Sequence, residues 1–206
     1  SKGQQTLAVE HYLRCIDFFE SIDDYWMLAD VYLEMTNLYN NLEMFDKAAE
    51  AMENRIRIIE SYDLNLNKYD NYNRAMWTMY DAKNYDKAFH YRDLRKELVS
   101  KQNQEDFLAD SYSLEGHILL DQNKFEDAIP FLERALDISL RLNRLSSDEW
   151  EAYRLSDCYY HIKDYKNALK YALQSQELLD GGNLRLKRYL NLKLWQRLHY
   201  FRVIFI

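Results

Sequence analysis

Four glycines, one proline and two cysteines occur in 206 residues. Glycine and proline punctuate strands and tight turns, so their scarcity speaks against a strand-rich fold and for long helices. Cys15 and Cys158 are too far apart for a disulfide framework or a metal-ligand spacing. They read as two buried small residues and leave the compartment open. The cytoplasm is favoured, and a periplasmic place is expected only if the intact protein is a membrane sensor. No secretory signal opens the chain, though a start at Ser1 makes that a weak statement about the intact protein. No apolar run reaches the roughly 18 residues that a membrane helix needs. Also missing are a glycine-rich phosphate loop, a nucleophile elbow and a paired-cysteine motif. His11, His90, His117, His161 and His199 fall in different segments, and no two have metal-ligand spacing on one helix. Cys158 and His161, three residues apart, read as core plus surface rather than a reactive pair. These absences exclude the common enzyme classes, and no cofactor or metal is expected.

What is present is charge and aromatic surface. The composition is 48% hydrophobic and 30% charged, as in ordinary globular proteins, with 18 Tyr and 4 Trp. The net charge of -7 is uneven. Residues 181–206 hold Arg185, Lys187, Arg188, Lys193, Arg197 and Arg202 and no acid, so residues 1–180 carry 21 basic against 34 acidic groups. An acidic body repels phosphate, which argues against nucleic acid as a partner and mildly favours basic ones.

A period of 40 residues organises the chain. Ala8, Ala48, Ala88, Ala128 and Ala168 fall on it, each of the last four preceded three residues earlier by Phe45, Tyr85, Phe125 or Tyr165. Tyr32, Tyr72 and Tyr112 form a third column that lapses at Ala152. Each unit reads as two amphipathic helices joined by a short polar break. Leu28, Tyr32, Met35 and Tyr39 recur at helical spacing, as do Phe45, Ala48, Met52, Ile56 and Ile59. Helix pairs are expected over 24–61, 66–101, 105–142 and 147–179. Residues 4–21 match a second helix without its first, and 184–206 a first helix without its second. This predicts about ten helices in one array over 1–206, cut from a longer protein. Ser146 with Glu149 fits a capping box, and Gly181-Gly182 a firm stop. Pro130 falls in the first turns of its helix, where a missing N–H costs least.

These columns resemble the tetratricopeptide repeat family. Its unit sets small residues where two helices cross, because only small side chains let backbones approach. The fourth unit matches best, with Tyr112, Gly116, Leu119, Ala128, Leu132 and Ala135. Arg55 and Arg95 break the last small slot of two successive units. There the helices either splay or the guanidiniums reach the surface or acidic neighbours. Ala152 and Ala172 stand where large residues are expected, with Tyr153 or Tyr171 to fill the space. The family's common unit has 34 residues; the six extra ones here lengthen the helices. Long units of this kind look like those of bacterial regulatory and sensor proteins, with a composition similar to the Bacteroides group. The resemblance implies an all-α, right-handed α-α superhelix that holds protein partners.

In such an array the first helices line the concave face. Their inward positions would be Asp30, Leu33, Asn37, Asn40 and Asn41; Asp70, Asn73, Trp77, Tyr80 and Asp81; Asp110, Ser113, His117, Leu120 and Asp121; and Trp150, Tyr153, Asp157, Tyr160 and His161. Asparagine can pair with the backbone of an extended peptide, and Trp and Tyr give rigid contact area. Asp30, Asp70 and Asp110 would attract Lys or Arg, or they merely favour the helix macrodipole. Trp77 either faces the groove or packs between units, and Asn40 and Asn41 serve the groove or only a turn. The lysines of the family's clamp for a terminal carboxylate are missing. The expected function is a non-enzymatic scaffold that binds an extended peptide or a helix. The alternative is a ligand-responsive sensor that passes a curvature change to a membrane-linked kinase or a DNA-binding output. The stretch 184–206 is either a repeat helix, exposed enough to form a homodimer, or a basic segment leading into a membrane helix beyond it.

Overall fold

The computed structural model describes residues 2–180, with the side chains of 7–144 and 150–178. Among these residues are nine helices and no strand: α1 Lys2–Ser21, α2 Tyr25–Asn41, α3 Phe45–Ser61, α4 Lys68–Asp81, α5 Tyr85–Glu97, α6 Gln104–Asp121, α7 Phe125–Arg141, α8 Leu145–His161 and α9 Tyr165–Asp180. The all-α repeat fold expected from the sequence is present. Residues 184–206 and Gly181-Gly182, to which further expectations were attached, lie outside the described residues. None of the described helices is long and apolar enough to cross a membrane.

The joins explain how so few glycines suffice. Asp23, Glu43, Asp63, Lys83, Asn123, Asn143 and Lys163 all have positive φ, between 44° and 65°. They fall 20 residues apart, with one gap at 103. In each join the left-handed residue closes the preceding helix. The N–H of Glu43 bonds the Asn40 carbonyl (3.0 Å) and that of Met44 bonds the Tyr39 carbonyl (2.9 Å), the double closure of a Schellman turn. The same second bond recurs from Asn84 to Met79, Lys124 to Leu119 and Asp164 to Tyr159, each at 2.9 Å. Except after Asp63, where Asn67 caps α4, the residue after the left-handed one opens the next helix. Asp24, Asn84 and Asp164 do so with their side chains, accepting from Met27, Lys87 and Asn167 N–H groups. Tight turns are therefore plentiful, contrary to what glycine scarcity suggested, and polar non-glycine residues make them. Because most of these joins take three residues, the long repeat spends its length on helix: α2, α3, α7 and α8 each have 17 residues.

The cadence lapses once. α5 has only 13 residues, and Asn103, at the expected place, has φ -111°. The chain divides there into two compact units, one ending at Val99 and the other beginning at Ser100. In the first unit, Leu28, Ala29, Met35 and Tyr39 of α2 pack with Ala48, Ile58 and Ile59 of α3, and Ile16 of α1 closes the core. In the second, Leu120, Ala128, Leu132, Leu136, Ala152, Leu155 and Tyr171 form the core. Ala48, Ala88, Ala128 and Ala168 are completely buried. A Cβ added at Gly116 would lie 2.6 Å from Leu132 Cδ2, which is why the α6–α7 crossing holds a glycine.

Three local expectations need adjustment. Pro130 lies past the first turn of α7, which begins at Phe125, so it removes one internal hydrogen bond rather than a free N–H. α8 starts at Leu145 with Arg144 as its cap residue. Ser146 therefore sits inside the helix and not at its cap; its side chain and that of Glu149 are outside the described residues. Cys158 is fully buried, but Cys15 is only half-buried.

Candidate binding faces

The two arginines in small slots are buried and bonded to neighbouring helices. Arg55, 4% exposed on α3, donates from Nε to Asn71 Oδ1 of α4 (2.8 Å) and from Nη1 to the Ala29 carbonyl of α2. Its Nη1 also lies 3.3 Å from Asp30 Oδ1. One side chain thus ties three helices. Burial lowers its pKa, and Asp30 pulls the other way. Arg95, 3% exposed on α5, repeats the reach one period later. Its guanidinium lies 4.1 Å from the Tyr69 ring centre and donates to the Tyr69 hydroxyl (2.8 Å). Both arginines reach back 26 residues to the preceding first helix.

On the first unit, α2 and α4 carry the sequence-predicted face. Asn37, Asn41, Asp70 and Asp81 are exposed, and Asp30, Leu33, Asn40, Asn73 and Trp77 are half-buried. Tyr80 is buried at 6% exposure, meets Trp77 edge-on (5.8 Å) and lies under the Lys83 ammonium. Asp70 belongs to the first turn of α4 and exchanges hydrogen bonds with its cap residue Asn67. Asp30 and Asp110 lie deeper in their helices and are held by Arg55 and Arg144. The aspartate column therefore holds three different environments: a half-exposed carboxylate on a buried arginine, a helix start, and a buried carboxylate on a half-buried arginine.

On the second unit, the corresponding face is largely inside. Asp110, Ser113, His117 and Leu120 of α6 are buried. Asp110 accepts from Arg144 Nη2 at 2.7 Å. The cause is α8, whose buried Glu151 accepts from the Ser113 hydroxyl and lies 3.4 Å from His117 Nε2. Sequence reasoning passed over Glu151, which stands beside the nominated Trp150. Tyr153 is also buried; Trp150 packs edge-on to it (5.8 Å) beneath the Arg154 guanidinium. Asp121, Trp150, Asp157 and Tyr160 stay half-buried. Asp157 Oδ1 lies 3.5 Å from His161 Nε2, and the His161 ring stacks on Phe125 at 4.2 Å.

Tyrosines knit the other side of the helices. Tyr159 and Tyr171 stack at 5.5 Å, and both hydroxyls donate to Glu133 Oε1. Tyr72 donates to Glu60 at 2.8 Å. Burial first, and then the Glu60 hydrogen bond, push the Tyr72 hydroxyl up to about 12; burial and Glu133 do the same for Tyr159. Tyr171 and Tyr159 pack in the core cluster that holds Ala152. Among the described residues no group of three His, Cys, Asp or Glu side chains is placed to hold a metal ion.

Residues 109–141 match the model of a tetratricopeptide repeat. No curated protein matches the sequence. Among solved structures, BtubC (BKLC) from P. vanneervenii is similar at 18% identity and a TM-score of 0.65, over 87% of this chain and 75% of that one. A signal transduction ATPase with numerous domains and a tetratricopeptide repeat sensor, from Pyrococcus horikoshii, is similar at 16% identity and a TM-score of 0.60. It covers 93% of this chain, which spans only 31% of the ATPase. A putative kinesin light chain of nearly identical TPR-like repeats, from Podosopora anserina, gives 13% identity and a TM-score of 0.52, over 86% of this chain and 93% of that one. At such identities the likeness concerns the fold.

Proposed function

We propose that this chain, of which residues 109–141 match a tetratricopeptide repeat and whose fold is like that of repeat proteins, is a non-catalytic scaffold that holds a basic peptide on its first helices. The observation that carries this reading is the α2–α4 face of the first unit. Asn37, Asn41, Asp70 and Asp81 stand exposed there beside half-buried Asn73 and Trp77. Arg55 fixes both helices from behind, so the face is preorganised and little ordering cost falls on binding. Asparagine amides suit a peptide backbone, the carboxylates suit Lys or Arg, and Trp77 offers an aromatic anchor.

Panning a displayed random-peptide library on the chain tests this. Lys- and Arg-containing peptides should be enriched. Asp70→Lys with Asp81→Lys should weaken their capture by roughly tenfold or more while the helical signal is unchanged. Unchanged capture would remove the acidic face from the mechanism. Asp110 is unsuited to this test, because a lysine there would confront Arg144 in the interior.

A sensor role is the second reading. The same fold serves as the sensor of the Pyrococcus ATPase. The favouring feature here is the Arg55 tie, through which a change at α4 would reach α2.

A further inference from the structure

On the first unit a cavity of about 330 Å³ opens between α1, α2 and α3. Its α2 residues, Tyr25, Leu28 and Tyr32, lie half a helical turn from Asp30 and Asn37, so it faces away from the proposed peptide surface. We propose that this cavity binds a small zwitterion of amino-acid size with an apolar side chain.

The floor is apolar: Leu28 is 2% and Ile58 6% exposed. One wall is a flat aromatic pair, Tyr25 and Tyr62, stacked at 3.4 Å and 11°. Tyr25 donates its hydroxyl to Asp23, which fixes the ring (2.7 Å). Two charges of opposite sign line the opening, Glu20 from α1 and Arg57 from α3. Arg57 gives Nη2 to Asn54 (2.8 Å) and keeps other N–H groups for a carboxylate.

The repeat itself shows that this opening is a departure. One period later the equivalent pair is closed, with Tyr72 donating to Glu60. At Tyr32 and Glu20 no such bond forms among the described residues, and the cavity occupies the space. Burial raises the Tyr32 hydroxyl, Glu20 pushes it the same way and Arg57 opposes, so both charges bear on the cavity. The volume is at the small end of the ~300–1,000 Å³ range of ligand pockets, which fits an amino acid and not a nucleotide. In the bound state the carboxylate meets Arg57, the ammonium meets Glu20, and the side chain lies on Leu28, Ile58 and the tyrosine pair.

The test is an NMR titration of the chain with L-phenylalanine, alongside phenethylamine and 3-phenylpropionate, which each lack one charge. Saturable shifts are expected at Tyr25, Tyr32, Arg57 and Tyr62, with both single-charge probes weaker by about tenfold. Glu20→Gln and Arg57→Gln alter exposed groups only, so the fold should hold, and each should weaken L-phenylalanine by roughly fivefold or more. Neither should change capture of basic peptides, which separates this site from the α2–α4 face. No saturable shift at these residues up to ~20 mM, or equal affinity for all three probes, would overturn the proposal.

Discussion

At the scale of single residues, the identity of a side chain proved less telling than what lies behind it. Asp30, Asp70 and Asp110 form one column in the sequence, yet one reaches in to the buried Arg55, one starts a helix and one is itself buried against Arg144. Hydropathy cannot separate them, because the partners come from other helices. The tyrosines give a measurable consequence. Their hydroxyls stay protonated in the fold to higher pH than in the unfolded chain, so the unfolded state loses protons first as the solution becomes alkaline. This stabilisation is full below about pH 10 and is lost as pH rises through about 12, the value to which Tyr72, Tyr91 and Tyr159 are pushed. Absorbance at the tyrosinate band should show a late-titrating group of tyrosines. Tyr72→Phe and Tyr159→Phe should shrink that group, and an unchanged late phase would contradict the assignment.

At the scale of elements, the 40-residue period made the helices legible. Their apolar stripes and polar breaks follow from local spacing alone. The turns were harder to read. Glu43, Lys83 and Lys163 occupy left-handed conformations that composition does not advertise, because they impose a cost that the Schellman closure offsets. Replacing these three with glycine should therefore stabilise the chain, by about 0.5 kcal/mol or more at each position. A thermal melt followed by circular dichroism would show it, and a fall in Tm would mean that the side chains contribute more than the strain costs. Arg55 and Arg95 teach a related point. A large charged residue in a small slot reads as a packing fault, yet each is absorbed by hydrogen bonds to the preceding first helix. The burial of His117 and Ser113 was illegible for the same reason: it depends on Glu151, 34 and 38 residues away.

At the scale of the whole chain, the single lapse in the 20-residue cadence is the informative place. α5 stops early, Asn103 lacks the left-handed turn, and two compact units meet between Val99 and Ser100. Lys101 and Gln102 are exposed there. Limited trypsin digestion should cut first after Lys101, leaving two fragments that keep their helical signal. A first cut inside α3 or α7 would show that the joint is no weaker than the repeats.

The turn spacing has a consequence for how the gene can change. Twenty codons encode one helix with its turn, but the two helices of a pair bury different sides. Excising residues 24–43 would leave every remaining turn intact and still exchange the parity of the helices that follow, presenting Ala48 where Leu28 belongs and Met52 where Tyr32 belongs. Excising 24–63 would restore parity. Insertions and deletions in this chain should therefore survive in even numbers of turns, and an odd one should be lost even though no single bond forbids it.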